Sequence, residues 1–283
     1  MVALILLFLL LPANAARAHP GVGIVMDSRG NVYYTDLRQV WRIARDGSKS
    51  VVVRGVHTHE LCLDAQDRLY GEHLWYEGDA TKKWGHYVWR LSPTGVLDTV
   101  VKPTEGFLTA YSFVRDSAGN MYWVDRGSTI RIRRTTPDGR VEDVSRDPLV
   151  DVGWITVDRG GVVYVVDDVT RRGAVRRIDG SGRMTTLATG LAENPILRAW
   201  ANGRHRLMGI WLGPSGDVYV ASHSTGEVKR IGGAALKTVA RIRFPWSPTG
   251  GLVAPNGDLW ILEYRINAAR VQRIARHGSV TTF

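Results

Sequence analysis

The sequence predicts an all-β protein, a six-bladed β-propeller with four antiparallel strands in each blade, from three observations. Short runs of β-branched and aromatic residues alternate with turn signals from residue 23 to residue 283. These runs recur as six similar units. Helical periodicity is absent, and one four-stranded meander buries too little surface to fold alone. Radial repetition of the units into a closed ring therefore accounts for the pattern.

The first unit shows how each blade is read. Residues 23–53 contain the strand-like runs GIVMD, VYYTD, QVWRI and SVVV, separated by the turn sequences SRGN and ARDG. We therefore expect one propeller domain over residues 19–283, with blades at about 22–54, 58–101, 110–145, 152–189, 206–240 and 248–283.

Three alignment columns support the repeat. The residue that opens the first turn of each unit is Asp27, Asp64, Asp116, Asp158, Gly213 or Ala254. The third strand of each unit carries an aliphatic residue, namely Val40, Val88, Ile132, Val175, Val228 and Val271. Two positions later stands an arginine, namely Arg42, Arg90, Arg134, Arg177, Arg230 and Arg273.

The arginine column also explains part of the formal net charge of +10. Arginines repeated at one strand position pack their stems between blades and direct their guanidinium groups to backbone carbonyls or turn aspartates. Neither a clustered basic helix nor an aromatic stacking platform for bases accompanies them, so we expect no nucleic-acid partner.

The N-terminus reads as a secretory signal peptide over residues 1–18. Residues 2–12 form an apolar run too short to span a bilayer, followed by the small-x-small patterns Ala13-Asn14-Ala15 and Ala16-Arg17-Ala18. We expect a secreted or periplasmic protein without membrane attachment after cleavage; an uncleaved anchor is the alternative. The single cysteine, Cys62, is interpreted as a core residue, so the exported fold forms no intramolecular disulfide.

Irregular sequence concentrates on one face of the predicted disc, formed by the loops between the second and third strands and by the crossovers between blades. Seven of the eight histidines map to it, namely His19, His57, His59, His73, His86, His205 and His223. Only His277 falls on the opposite face.

The exit of the second strand defines a candidate site on this face. Its column reads Asp36, His73, Asp125, Asp167, Ser222 and Glu263, which a closed ring would place around one channel mouth. The three aspartates are interpreted as acceptors for their own loops. We expect His73, His59 and Glu263 to carry acid–base chemistry, and Glu60, His73, His223 and Glu263 to bind Ca²⁺, Zn²⁺ or Mg²⁺.

Aromatic residues accompany these groups. Trp75, Tyr76, Trp84 and Tyr87 follow His73, and they either wall a ligand pocket or cover the edge of the second blade. The residues predicted to contact a ligand are Trp75, Arg198, Trp200 and Tyr264.

The motifs GIVMDSRGNVYYTD, SFVRDSAGNMYWVD and GGLVAPNGDLWILEY resemble NHL repeats and the SMP-30/gluconolactonase group, and more loosely the streptogramin-lyase-like propellers. The resemblance implies a six-bladed propeller and a range of activities: metal-dependent lactonases and other hydrolases, lyases, and non-catalytic binding propellers. Glu60 is similar in kind to the glutamate with which an inner strand opens in the lactonases, although it stands in the second blade and theirs in the first. Pro248-Thr249-Gly250 stands where that group has Pro-Asp-Gly.

Two functions follow from these patterns. The first is a divalent-metal-binding propeller that holds a small polar ligand and acts as a hydrolase or lyase. The second is a non-catalytic propeller that uses the same loops to bind a protein or a glycan.

Overall fold

The computed structural model describes residues 20–167, 172–192, 206–232 and 235–283. The predicted signal peptide over residues 1–18 and the candidate residues Arg198 and Trp200 lie outside the described residues. The described strands form six antiparallel sheets in chain order, which confirms the six-bladed β-propeller. A helix long and apolar enough to cross a bilayer is absent from these ranges.

Each sheet is a meander of sequential strands, so neighbouring strands in the chain pair with each other. Blade 1 contains β1 (Ile24–Met26), β2 (Val32–Thr35), β3 (Gln39–Ile43) and β4 (Lys49–Arg54). Blade 2 contains β5 (Leu61–Leu63), β6 (Leu69–Tyr76), β7 (Trp84–Leu91) and β8 (Leu97–Glu105). Blade 3 contains β9 (Met121–Arg126), β10 (Ile130–Thr135) and β11 (Val141–Asp143).

The second half of the ring repeats this order. Blade 4 contains β12 (Val152–Val157), β13 (Val163–Asp167), β14 (Ala174–Ile178) and β15 (Met184–Thr189). Blade 5 contains β16 (Leu207–Leu212), β17 (Val218–Ser222), β18 (Glu227–Gly232) and β19 (Ala235–Arg241). Blade 6 contains β20 (Ser247–Val253), β21 (Leu259–Arg265), β22 (Ala268–Ile274) and β23 (Val280–Thr282).

Blade 3 departs from the predicted four strands because its inner strand is reduced to a single bridge between Arg115 and Met121. Ala110 adopts a left-handed conformation with φ of 53°. The hydroxyl of Ser112 accepts the amide proton of Val114 at 3.0 Å. These local features turn the chain where each of the other blades has an inner strand, because short polar side chains compete with strand pairing for backbone groups.

The first turn of most blades is held by the aspartate that opens it. Asp27 accepts hydrogen bonds from the amides of Arg29 and Asn31 and from the hydroxyl of Tyr33, at 3.0, 2.8 and 3.1 Å. The corresponding hydroxyl bonds in blades 2 and 3 join Tyr70 to Asp64 and Tyr122 to Asp116, both at 2.9 Å. The repeated aspartate therefore closes the turn and fixes the side chain of the following strand.

The third strand carries the core between blades. Its six aliphatic residues, Val40, Val88, Ile132, Val175, Val228 and Val271, are all fully buried. Hydrophobic clusters join blades 1 and 2, 3 and 4, 4 and 5, 5 and 6, and 6 and 1. Within the described ranges, no comparable buried cluster joins blades 2 and 3.

The arginine column forms ion pairs of two kinds. Arg230 and Arg273 pair with turn aspartates, Asp217 and Asp258, at 3.7 and 2.8 Å, as predicted. Arg90 and Arg134 instead pair with Asp98 and Glu142 on the outermost strands. In blades 2 and 3, the carboxylate that pairs with this arginine thus lies on the outermost strand and not in the turn.

The inner strands approach each other through glycine on one side of the axis. A side-chain carbon added at Gly250 would lie 2.2 Å from the carbonyl oxygen of Val22, and one added at Gly209 would lie 2.7 Å from that of Thr249. At Gly23 the same carbon would lie 2.9 Å from the amide nitrogen of Leu61. The corresponding positions in blades 2, 3 and 4 are Glu60, Ser112 and Trp154. Neighbouring inner strands are therefore in backbone contact from blade 5 through blade 1. In blades 2, 3 and 4, side chains occupy the same positions next to the axis.

The ring closes by packing, since both end blades keep their own sequential strands. The hydroxyl of Tyr264 in blade 6 donates to the carbonyl oxygen of Thr35 in blade 1 at 2.6 Å. Tyr264 is buried in the cluster between these blades. Its hydroxyl serves ring closure, which differs from the ligand contact that the sequence predicts for this residue.

We expect the substitution Tyr264→Phe to destabilise the protein by about 1–2 kcal/mol, because it leaves a buried carbonyl oxygen without its donor. Urea unfolding measures this change. Tyr87→Phe is the matched control, since no described residue accepts a hydrogen bond from its hydroxyl. Equal stability of the two variants would contradict the role in ring closure.

Candidate functional site

The cavity on the propeller axis is the candidate site. Its volume is about 1360 Å³, and inner-strand residues of all six blades line it. Phe107, Tyr111 and Arg115 also line it at the reduced inner strand of blade 3. The lining of the cavity is therefore asymmetric.

Glu72 is a carboxylate in a core position. It pairs across the sheet with buried Val88, and the equivalent positions in the other blades are Thr35, Val124, Val166, Ala221 and Leu262. Its side chain is buried, and it also lines the cavity. Burial of a carboxylate is unfavourable unless hydrogen bonds satisfy it.

Those hydrogen bonds come from the crossover that enters blade 2. Oε1 of Glu72 accepts from the backbone amide of His59, and both carboxylate oxygens lie 3.4 Å from the amide nitrogen of Glu60. The imidazole Nδ1 of His59 lies 3.2 Å from Oε1 of Glu72. With the proton on Nδ1, His59 donates to Glu72 and leaves Nε2 as an acceptor, and Nε2 has no partner among the described residues.

Two further histidines, His57 and His73, support this arrangement. The imidazole of His57 packs edge-on against that of His59, with ring centroids 4.7 Å apart. Burial, followed by the proximity of His59, lowers the pKa of His57 to about 4, so this imidazole is neutral near pH 7. Nδ1 of His73 accepts the backbone amide proton of His57 at 2.9 Å. His73 therefore holds the crossover.

Glu60 lines the cavity beside this pair. Burial, with a further contribution from the Glu72 charge, raises its pKa from 4.5 to about 8. At neutral pH most molecules therefore carry a protonated Glu60, which is a hydrogen-bond donor and an acid. The site combines a neutral carboxyl group, an oriented imidazole and a buried carboxylate.

The cavity wall formed by blades 3 and 4 supplies positive charge and aromatic surface. Arg126 donates to the carbonyl oxygen of Val152 at 2.7 Å, and Arg115 donates to that of Ser112 at 2.8 Å. Each guanidinium has five N–H groups, so both retain donors for a ligand. Trp154 also lines this wall.

The strand-exit column is occupied by bonds within the protein. Asp36 accepts from the amides of Arg38 and Gln39 at 2.9 Å, so its predicted structural role is confirmed. Ser222 donates to the carbonyl oxygen of Leu191 at 2.8 Å. The ion pairs of the remaining carboxylates are Asp125 with Arg133 at 2.7 Å, Asp167 with Arg176 at 2.8 Å and Glu263 with Arg270 at 2.7 Å.

The predicted metal ligands Glu60, His73, His223 and Glu263 are not brought together. Glu263 is fully buried in blade 6 against Arg270, although its Oε1 has no partner within the described ranges. His223 is half-buried in blade 5, away from the cavity lining. No group of three or more histidine, cysteine, aspartate or glutamate residues in the described chain is arranged to hold a metal ion.

The predicted ligand-contacting residues are also placed differently. The indole of Trp75 lies over Gly85, where an added side-chain carbon would be 1.7 Å from the ring, so it covers the blade 2 hairpin. Tyr264 closes the ring, as described above. His59 and Glu60 are the predicted site residues that the structure brings together in the cavity.

Glu72 is the site residue that the sequence interpretation missed. Its signal is visible in the repeat, because one blade has a glutamate where the others have threonine, valine, alanine or leucine. The axial column gives a second signal, with Glu60 against glycine in three blades. The predicted ring consists of residues at the exit of the second strand, which lie at the edge of each sheet. The residues that line the axis belong to the inner strand of each blade.

No family model matches the chain, and the search of curated proteins finds no match. Solved structures of similar fold include virginiamycin B lyase from Staphylococcus aureus, with 17% identity over 93% of this chain and 84% of that one, at a TM-score of 0.52. They include a gluconolactonase from Xanthomonas campestris, with 15% identity over 85% and 82% of the two chains, at 0.56. The calcium-binding protein regucalcin from Agrobacterium tumefaciens shares 16% identity over 86% and 81%, at 0.55. These similarities agree with the resemblance in fold.

We expect Glu263→Ala to destabilise the protein by about 3 kcal/mol, because it removes one partner of a buried ion pair. The matched control is Glu142→Ala, which removes the carboxylate of the more exposed pair with Arg134 and should change stability by less than about 1 kcal/mol. Denaturant unfolding compares them. A Glu263→Ala protein as stable as the control would show that this carboxylate has no structural role.

Glu60 should make stability depend on pH. The folded protein holds its proton more tightly than the unfolded chain, so this stabilisation is complete below about pH 4.5 and is lost as the pH rises through about 8. We expect Glu60→Gln to match the wild type at pH 5 and to exceed it by about 2 kcal/mol at pH 9, a value reduced because the group faces an accessible cavity.

Urea midpoints at the two pH values measure this difference. Glu77→Gln, at an exposed position of the blade 2 hairpin, is the control. If wild type and Glu60→Gln lose stability in parallel between pH 5 and pH 9, Glu60 is ionised in the folded protein at neutral pH.

Proposed function

We propose that this protein binds a small polar molecule in its axial cavity and cleaves a C–O bond in it, as a hydrolase or a lyase, by acid–base chemistry at His59 and Glu60. The observation that carries this proposal is that two out-of-pattern glutamates of one blade line the cavity together with an imidazole, which one of them contacts.

His59 is the base in this proposal. Glu72 accepts its Nδ1 proton, which fixes the ring orientation and stabilises the imidazolium that forms when Nε2 takes a proton. In hydrolysis that proton comes from a water molecule that attacks the carbonyl carbon. In elimination it comes from the carbon next to the leaving group, and the C–H electron pair becomes a double bond.

Glu60 is the acid. Its carboxyl group keeps a proton at neutral pH because of burial and the nearby Glu72 charge. It donates that proton to the oxygen that leaves as the C–O bond breaks. The two routes therefore use the same pair of groups and differ in whether water enters the product.

The blade 3 wall of the cavity favours a ligand with a carboxylate or another anionic group. Arg115 and Arg126 line the cavity there and retain unused guanidinium donors, which suit an oxygen anion.

No step of the proposed chemistry uses a divalent metal, because the residues predicted to bind one do not form a ligand set. Metal dependence in similar folds, such as the calcium binding named for regucalcin, therefore supplies no mechanism for these residues. Export through the predicted signal peptide is part of the proposal and would place the activity in a periplasm or outside the cell.

The test is turnover of a panel of lactones, carboxylate esters and β-acyloxy carboxylates with purified protein in the presence of EDTA. We expect activity in EDTA, a loss of about 10²–10⁴-fold in His59→Gln, and a decline of the wild-type rate above about pH 8 as Glu60 ionises. Turnover in H₂¹⁸O separates hydrolysis, which incorporates the label, from elimination, which does not.

His277→Gln is the matched control, because His277 is exposed on the opposite face. Activity that disappears in EDTA and returns with added metal would contradict the metal-free chemistry. Ligand binding without turnover, unchanged in His59→Gln, would favour the non-catalytic protein- or glycan-binding propeller.

A further inference from the structure

A column of three aromatic rings extends from the blade 2 hairpin to the cavity. Tyr76 and Trp84 face each other across strands β6 and β7, with ring centroids 4.4 Å apart. Trp84 in turn stacks on Phe107 at 5.5 Å, with 28° between the ring planes. All three side chains are partly exposed, and Phe107 is the most exposed, at 63%.

The chain that carries Phe107 is fixed to the hairpin next to it. The amide of Gly106 donates to the carbonyl oxygen of Trp84 at 2.6 Å, and Nδ1 of His86 lies 2.8 Å from the carbonyl oxygen of Gly106. Phe107 is therefore held in place by β7, and little conformational entropy remains to be lost when a ligand contacts it.

Phe107 is the open end of the column. One face of its ring lies against Trp84, and its high exposure means that the opposite face is free. Phe107 also lines the axial cavity, in the region where blade 3 lacks an inner strand. A fourth ring placed on this face would continue the stack and would remain in the cavity.

The surroundings suit a ligand that has a flat ring and a polar end. Tyr111 follows Phe107 in the crossover, and the guanidinium of Arg115 lies over its ring at 5.6 Å from the centroid. No buried cluster of described residues fills the seam between blades 2 and 3, so a ring has room next to Phe107. Arg115 and Glu60 line the same cavity and face the polar part of such a ligand.

We propose that Phe107 is a stacking subsite for a flat ring, either aromatic or the apolar face of a pyranose, that forms part of the cavity ligand. This inference rests on the proposed function in one respect, that the cavity binds a ligand, and it narrows the substrate class to polar molecules that carry a ring. Stacking on one ring corresponds to a three- to tenfold effect on affinity, on the order of 0.5–1.5 kcal/mol.

The experiment measures binding of two ring probes, 2-naphthoate and methyl β-glucopyranoside, to the full chain by saturation-transfer NMR titration. We expect one probe to bind in the millimolar range or tighter, with affinity reduced about three- to tenfold in Phe107→Ala and retained in Phe107→Trp. The probe that binds identifies which kind of ring the subsite accepts.

Phe244→Ala is the matched control, because Phe244 is an exposed phenylalanine in the crossover between blades 5 and 6 and does not line the cavity. Failure of both probes to bind, or equal binding to wild type and Phe107→Ala, would overturn the proposal. Probe binding that depends on Phe107, in a protein that turns over none of the panel substrates, would overturn the proposed chemistry and leave the ring subsite standing, so the two failures remain distinguishable.

Discussion

The distance of closest approach between neighbouring inner strands determines the shape of this propeller. Three glycines of the axial column, Gly23, Gly209 and Gly250, let backbones meet where any side chain would collide with the next blade. The same column carries Glu60, Ser112 and Trp154 on the other side, where the strands must stand further apart. A ring with six similar blades thereby acquires an axial cavity whose lining differs from one side to the other.

The seam between blades 2 and 3 follows from the same constraint. Every other pair of neighbouring blades shares a buried apolar cluster within the described residues, whereas here the inner strand of blade 3 is replaced by a turning segment around Ala110 and Ser112. A missing strand leaves apolar surface without a partner, and Phe107 and Tyr111 present that surface to the cavity. The loss of packing at this seam and its capacity to bind a ligand therefore have the same cause. Surface that is buried in a stable core is not available to a ligand, so stability and binding favour different arrangements here.

The fold was predictable from the sequence because a repeat turns local patterns into global geometry. Turn aspartates and the buried third-strand aliphatic residues recur at fixed offsets, and each has one structural explanation. The site was predictable only in part. His59 and Glu60 lie in the cavity as expected. His73 instead holds the crossover into blade 2, and His223 and Glu263 lie outside the cavity lining. Which column of the repeat faces the axis depends on the inclination of the blades. The alternation of side chains along a strand does not reveal that inclination. The loss of one strand in blade 3 depends on hydrogen bonds of Ser112 that composition does not reveal.

Blade 2 shows how one buried charge can set the properties of two neighbours. The Glu72 carboxylate occupies a core position only because the His59 and Glu60 amides and the His59 imidazole satisfy it, so it fixes the backbone that carries both candidate groups. Its negative charge adds to burial in raising the pKa of Glu60, and it favours the tautomer of His59 that leaves Nε2 as an acceptor. The proposed acid and the proposed base therefore both depend on Glu72, a residue that belongs neither to the axial column nor to the strand-exit column. Replacing Glu72 by valine, the residue at this position in blades 3 and 4, would give an ordinary blade and remove both effects together.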